Sequence, residues 1–307
     1  MHSAEPEAAG ALLREGVEAL RVAGSETARL DAQLLLGDAM GLDRTAVLAH
    51  PELLVEVEAA VRYRASVRRR EAGEPVAYIR GRKEFYGLTL SVDRRALIPR
   101  PETERLVELA QEEVRRRRSP AGSRSQLPIQ VVDVGTGSGA IAVALAVACR
   151  DLGGSTAIRM LGLDVSADAL ELARANARSL GVQDVLTFAR SDLLASDANA
   201  SDGGPQFDLV LANLPYVRSD AMAGLPIATS FEPLLALDGG VDGLDVIERL
   251  LGQLPEHLAD GGLALLEIGA DQADLIVERC ARVLPGWACR VKADLAGLPR
   301  VAMIERA

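Results

Sequence analysis

The chain is poor in cysteine and histidine and has no long apolar run. Its three cysteines, Cys149, Cys280 and Cys289, form neither a CxxC pair nor a dense pattern. That excludes a disulfide framework and points to a reducing compartment, the cytoplasm. The three histidines, His2, His50 and His257, are scattered, so a histidine-based metal cage and a Ser-His-Asp triad both lack raw material and no metal is expected. The most apolar stretch, Ala140 to Cys149, has ten residues, about half of a membrane span. The opening MHSAEPEAAG is acidic and has no basic region leading into an apolar one, which predicts no signal peptide. With 28 Gly and 14 Pro in 307 residues, collagen and wholesale disorder are excluded as well.

What is present is 49% hydrophobic residues in a length that suits about two globular domains. The net charge of −10 argues against a whole-molecule grip on nucleic acid or anionic lipid. Residues 59–118 depart from that average, with 16 basic and 9 acidic side chains. Arg62, Arg64, Arg68, Arg69, Arg70, Arg80, Arg82 and Lys83 concentrate there. They read either as a solvated helix face or as a strip that docks an acidic partner.

Apolar spacing over the first 75 residues predicts short helices, with Gly41 as a stop and Asp43 as a cap. Over residues 76–100 the period changes. Val76-Ala77-Tyr78-Ile79 and Glu84 to Val92 read as a β-hairpin with Gly81 near its turn. Pro101 opens a helix with Glu102 and Glu104 in its first turn and Arg115 to Arg118 in its last, charges that complement the helix dipole. Residues 119–125 and 195–205 read as loops. Strands at Ile129–Val134, Ile158–Asp164, Val185–Ala189, Phe207–Ala212 and Leu263–Ile268 alternate with helices. This predicts an α/β fold with a parallel, doubly wound sheet. Ala288–Asp294 and Arg300–Glu305 then read as an antiparallel hairpin on its edge, making seven strands.

Three constellations carry chemistry. Gly135-Thr136-Gly137-Ser138-Gly139 ends the first strand and opens a helix, so backbone N–H groups can meet a nucleotide-type ligand; the spacing also admits a dinucleotide fingerprint. Asp164 ends the next strand, where a carboxylate can accept both hydroxyls of a ribose, and Asp192 beside Leu193 follows the third. Asn213-Leu214-Pro215-Tyr216 ends the fourth. There an amide oxygen and the Leu214 carbonyl can each accept one N–H of a planar NH2 group while Tyr216 covers its face. A protein that binds such a ligand without turnover remains a second reading of these residues.

Together these segments resemble the class I S-adenosylmethionine-dependent methyltransferases. Tyr78-Ile79-Arg80-Gly81, Glu84 to Leu88, Leu97 to Glu104, Phe231-Glu232-Pro233, Gly239 to Leu244 and Leu266-Glu267-Ile268-Gly269 narrow the resemblance to the peptide chain release factor N5-glutamine methyltransferases. What the resemblance implies is a Rossmann-like sheet with S-adenosylmethionine as cofactor, a helical substrate-recognition domain over 1–75, a hairpin connector over 76–100 and a catalytic domain over 101–307. The substrate implied is the GGQ glutamine of release factors 1 and 2, with no membrane partner and no direct nucleic-acid substrate. By the same resemblance Gly135, Thr136, Gly137, Ser138, Gly139, Asp164, Asp192, Leu193 and Asn213 hold or face the cofactor. Asn213, Pro215 and Tyr216 are catalytic, and Leu214, Arg100 and Glu102 join them on the substrate side. One departure is Leu214, where the family usually has proline. Asn-Leu-Pro-Tyr also resembles the ribosomal RNA adenine dimethyltransferases, which leaves N6-adenine methylation of RNA or DNA as the alternative. Domain order separates the two, because here the helical domain comes first.

Overall fold

The computed structural model describes residues 6–118, 127–152, 157–195 and 206–306. The loop expected at 119–125 lies outside them, as does all but the first residue of the one expected at 195–205. The chain divides into one unit of Met1–Arg82 with Pro226–Phe231, and another of Lys83–Leu225 with Glu232–Ala307.

The first unit holds α1 (Ala9–Val22), α2 (Ala28–Met40), α3 (Arg44–Ala49), α4 (Val57–Glu71) and α5 (Val76–Arg80). Leu12, Leu20, Leu35, Leu36, Val47 and Tyr63 form its core. Tyr63 fits only because residue 16 is glycine: a Cβ there would lie 1.8 Å from the phenol oxygen. Gly41 ends α2 in the left-handed region with φ 68°, and Asp43 caps α3 by accepting from the Ala46 N–H at 2.7 Å. The expected strand at Val76–Ile79 is a helix instead. Pro75 sets its N-terminus and Gly81, at φ 69°, its left-handed end, and these two stops outweigh the strand preference of Val, Tyr and Ile.

Several cations of the basic segment are paired within this unit. Arg64 binds Glu7 and Glu15, Arg69 binds Glu74, Arg70 binds the buried Asp31, and Arg82 binds Asp38. Arg62 donates to the Ala39 carbonyl. These cations staple helices together, so the charge excess in the sequence is not an open strip of equal size.

A short hairpin of Arg82–Phe85 and Leu88–Ser91 runs through the start of the second unit at Lys83. The helix announced by Pro101 starts as a 3-10 turn over Pro101–Thr103 and continues as α6 (Glu104–Arg118). The central sheet has seven strands: β1 (Ile129–Val134), β2 (Ile158–Asp164), β3 (Leu186–Arg190), β4 (Phe207–Ala212), β5 (Leu258–Glu267), β6 (Trp287–Ala293) and β7 (Pro299–Arg306). Their order is β6-β7-β5-β4-β1-β2-β3. The first five strands run parallel, while β7 and β6 close one edge antiparallel. Helices α7 (Ala140–Ala148), α8 (Ala167–Ser179), α9 (Asp245–His257) and α10 (Ala273–Val283) connect them. Successive residues of β1 serve opposite cores: Ile129 and Val131 pack with α6 and α7, Val132 and Val134 with α9 and α10. That alternation is the burial on both faces expected of a parallel sheet. No helix among the described residues is long and apolar enough to cross a membrane.

Candidate active site

Strand register assembles the site. Val134 of β1 lies level with Leu163 of β2 and Ala212 of β4. The next residues, Gly135, Asp164 and Asn213, therefore stand side by side at the carboxyl edge of the sheet, Asp164 as the last residue of β2. This is where strand order reverses between β1 and β4, the position at which open α/β sheets bind ligands.

A cavity of about 460 Å³ opens there, within the range of small-molecule sites. Gly135, Thr136, Gly137, Ser138, Asp164, Asp192, Leu193, Asn213, Leu214, Pro215 and Arg100 all line it. Gly139, Glu102 and Tyr216 are not among its lining residues. Gly139 is needed for packing: at φ 80°, a Cβ there would press on Ala173 of α8 at 3.1 Å. Glu102 is exposed on the 3-10 turn. Tyr216 turns its hydroxyl toward Glu267 of β5 at 3.3 Å.

Several lining groups have structural partners as well. Asp164 accepts from the Gly137 N–H and the Ser166 N–H, each at 2.8 Å, tying the glycine loop to the start of α8. A carboxylate has about four acceptor positions, so two remain for a diol. Thr136 donates at 2.6 Å to Asp133, which lies under the loop, fully buried; burial pushes that carboxyl up to about 7. Asp192 accepts at 2.6 Å from Arg249, itself a lining residue. Both side chains are more than half exposed, so the pair yields readily to a ligand. Leu193 is buried with φ 57°, a strained conformation for a branched residue that places it against the cavity.

Leu214 is buried, and its Cδ2 lies 2.9 Å from where a Gly135 Cβ would stand. Packing against the glycine loop thus restrains a residue whose φ no proline ring locks. Behind it, Gln272 donates to the Tyr216 carbonyl at 3.0 Å, and Gly239 and Gly243 approach so closely that a Cβ would fall 2.7 Å from the Pro215 carbonyl or 2.3 Å from that of Tyr216. The Asn-Leu-Pro-Tyr turn is supported by backbone contact with the Gly239–Gly243 loop.

Four further residues support the candidate site without having been given a role in it from the sequence, although Thr103, Glu232 and Glu267 lie in segments that carry the resemblance. Glu232, almost fully buried, accepts from the Ile98 N–H at 3.2 Å and from Arg100 at 2.6 Å, anchoring the segment that contributes Leu97, Pro99 and Arg100 to the cavity. Thr103 accepts from the Asn213 side-chain N–H at 3.0 Å and Glu267 lies beyond it. Asn176, buried in α8, bonds Ser91 and the Ser138 carbonyl. The signal for Glu232 and Glu267 was a carboxylate set in an apolar run.

Two family models match the chain: PrmC N-terminal domain over residues 11–81 and a methyltransferase domain over residues 128–280. The release factor glutamine methyltransferase of Bradyrhizobium diazoefficiens is 42% identical over 94% of this chain and 91% of its own. That of Koribacter versatilis is 38% identical over 92% and 93%. Among solved structures, the human hMettl16 catalytic domain in complex with a MAT2A 3'UTR hairpin superposes with a TM-score of 0.53 at 14% identity, covering 83% of each chain. At that identity the likeness shows the fold alone.

Proposed function

The chain belongs to the release factor glutamine methyltransferases, and from that premise we propose which of its residues do the chemistry and which substrate they take. It is an S-adenosylmethionine-dependent enzyme that methylates a release-factor glutamine. The finer substrate we assign is the GGQ glutamine of release factors 1 and 2, modified on its side-chain amide N5 in the cytoplasm. Residues 1–75 recognise the factor, 76–100 connect, and 101–307 catalyse. The N6-adenine alternative is not retained, since relatives at up to 42% identity are glutamine methyltransferases by name.

The observation that carries the assignment is the shared register that puts Asn213 beside the glycine loop and Asp164 in one cavity. The residues suit the cofactor. Gly137 has room for close approach, with nothing nearer than 3.8 Å to a would-be Cβ, and Asp164 keeps acceptor positions for ribose hydroxyls. Asp192 and Leu193 offer an acceptor and an apolar wall for the base. Gly135, Thr136, Ser138 and Gly139 shape the loop. Bound S-adenosylmethionine supplies a methyl group on a cationic sulfur.

The chain's own contribution is orientation. Asn213 Oδ1 and the Leu214 carbonyl each accept one N–H of the glutamine amide, which aims the nitrogen and enriches it in electron density. Pro215 stiffens the turn, and Tyr216 holds it from beneath. No general base is needed if the nitrogen keeps its proton until methyl transfer, since an N-protonated amide is a strong acid and gives its extra proton to water. Arg100 and Glu102 stand on the substrate side, Arg100 lining the cavity and Glu102 exposed. Incubation of the protein with S-adenosylmethionine and release factor 1 or 2, followed by peptide mass analysis, should show the mass of one methyl group on the GGQ peptide. An unmodified peptide, or methylated RNA in its place, refutes the assignment.

A further inference from the structure

We propose that Glu267 is a positioning residue of the methyl-transfer site, acting through the Thr103 hydroxyl to decide which end of the Asn213 amide faces the cavity. The inference rests on the catalytic reading of Asn213 given above. Glu267 ends β5 at the level of Asn213, since Ala212 and Leu266 are register partners. Its side chain is buried, Oε1 accepts from the Tyr216 hydroxyl at 3.3 Å, and Oε2 is buried with no aligned partner among the described residues. Asn213 Nδ2 donates to Thr103 Oγ1 at 3.0 Å. Having accepted that bond, the Thr103 hydroxyl has one hydrogen left to give; it forms no hydrogen bond to Glu267 in this structure, but it lies near enough to favour the ionised carboxyl, whose unpartnered Oε2 is the acceptor the relay requires.

The order of donors is then determined from one end. With Glu267 ionised, Thr103 and Tyr216 both point their hydrogens at it, Thr103 presents a lone pair to Asn213 Nδ2, and Asn213 Oδ1 is left for the substrate. With Glu267 protonated, the carboxyl can donate to Thr103, whose hydrogen then turns to Asn213 and calls for an oxygen there. The amide flips, and an N–H group meets the substrate N–H. Methyl transfer needs the first arrangement. The groups bearing on Glu267 are the Thr103 and Tyr216 hydroxyls, Arg300 of β7, which favours the ionised form, and Glu102, which opposes it; Arg100 acts on Tyr216. Burial raises the Glu267 carboxyl to about 7, so both forms are populated near neutral pH.

The experiment compares wild type with Glu267→Gln, Thr103→Val and Thr103→Ser. Wild-type kcat should fall as pH drops through about 7. Glu267→Gln and Thr103→Val should each lower kcat roughly tenfold to a hundredfold, the scale of one lost charged hydrogen bond, and flatten that profile. Affinity for S-adenosylhomocysteine should stay within about twofold, because the relay orders the amide and not the cofactor loop. The double variant should lose no more than the worse single one, and Thr103→Ser should recover most of what Thr103→Val loses. Independently of turnover, the Asn213 side-chain NH2 resonance should titrate near neutral pH in wild type and not in Glu267→Gln or Thr103→Val. An unchanged pH profile in Glu267→Gln, additive losses, or an Asn213 resonance that ignores Glu267 overturns the proposal. Absence of methyl transfer by wild type alongside a titrating resonance refutes the catalytic reading instead. Should Glu267→Gln fail to fold, Thr103→Val carries the same test.

Discussion

Glu232 holds the Leu97–Arg100 segment against the cavity, and replacing it measures how much that segment contributes to ligand affinity. The Glu232 side chain is 1% exposed and accepts two hydrogen bonds, from Ile98 N at 3.2 Å and Arg100 Nη2 at 2.6 Å. A hydrogen bond to a charged group contributes about 1.5–3 kcal/mol. The Arg100 bond is discounted to about 1 kcal/mol, because that side chain is 35% exposed and water replaces its partner. The Ile98 N–H is buried and finds no such replacement, so Glu232→Ala should cost about 2–3 kcal/mol in all. For a unit of this size that is a fall in Tm of roughly 4–12 °C. If the whole cost falls on the ligand-competent position of the segment, S-adenosylhomocysteine affinity drops by up to about a hundredfold. Glu232→Gln keeps an acceptor for Ile98 and should lose about half as much. Titration calorimetry and thermal melts of the three proteins read both quantities. An affinity within about twofold of wild type in Glu232→Ala, with an unmoved Tm, would refute the anchoring role.

Asn213→Ala should reduce methyl transfer to a GGQ peptide by about 10²-fold or more while S-adenosylhomocysteine affinity, read by calorimetry, changes modestly. Gly243→Ala should lower both stability and turnover, since its Cβ would stand 2.3 Å from the Tyr216 carbonyl at a φ of 80°; a soluble variant with wild-type kcat contradicts this. Asp133 is pushed up to about 7 by burial, above its unfolded value near 4. The native state therefore holds a proton that the unfolded chain releases, and stability falls as pH rises from about 4 to about 7, then levels. Asp133→Asn removes that component, so urea melts should show it gaining on wild type by a few kcal/mol at most between about pH 5 and pH 8. An equal difference at both values sinks the argument.

Much of the site was legible because it is built from strand ends. Gly135, Asp164 and Asn213 each close an apolar run, and parallel pairing brings such ends to one edge whatever lies between them. The segment Val76–Arg80 was misread because its apolar, β-branched composition suits a strand, whereas Pro75 and Gly81 bound a helix too short to show periodicity. The basic residues from Arg62 to Arg82 read as surface until their acidic partners, up to 57 positions away in the case of Arg64 and Glu7, folded against them.

Local chemistry therefore determined this protein's elements, the parallel sheet and the edge that carries its ligand, because dihedral preference and apolar period act over a few residues. Only the tertiary structure decided which side chains position the Asn213 amide. The bonds of Asn213 to Thr103 and of Ile98 to Glu232 span 110 and 134 residues. Such pairs exist only after helices and strands have packed, since a buried polar group takes whichever partner the closed core leaves within reach. Tyr216 turned to Glu267, Asp192 to Arg249 and the arginines of α4 to their own unit for that same reason.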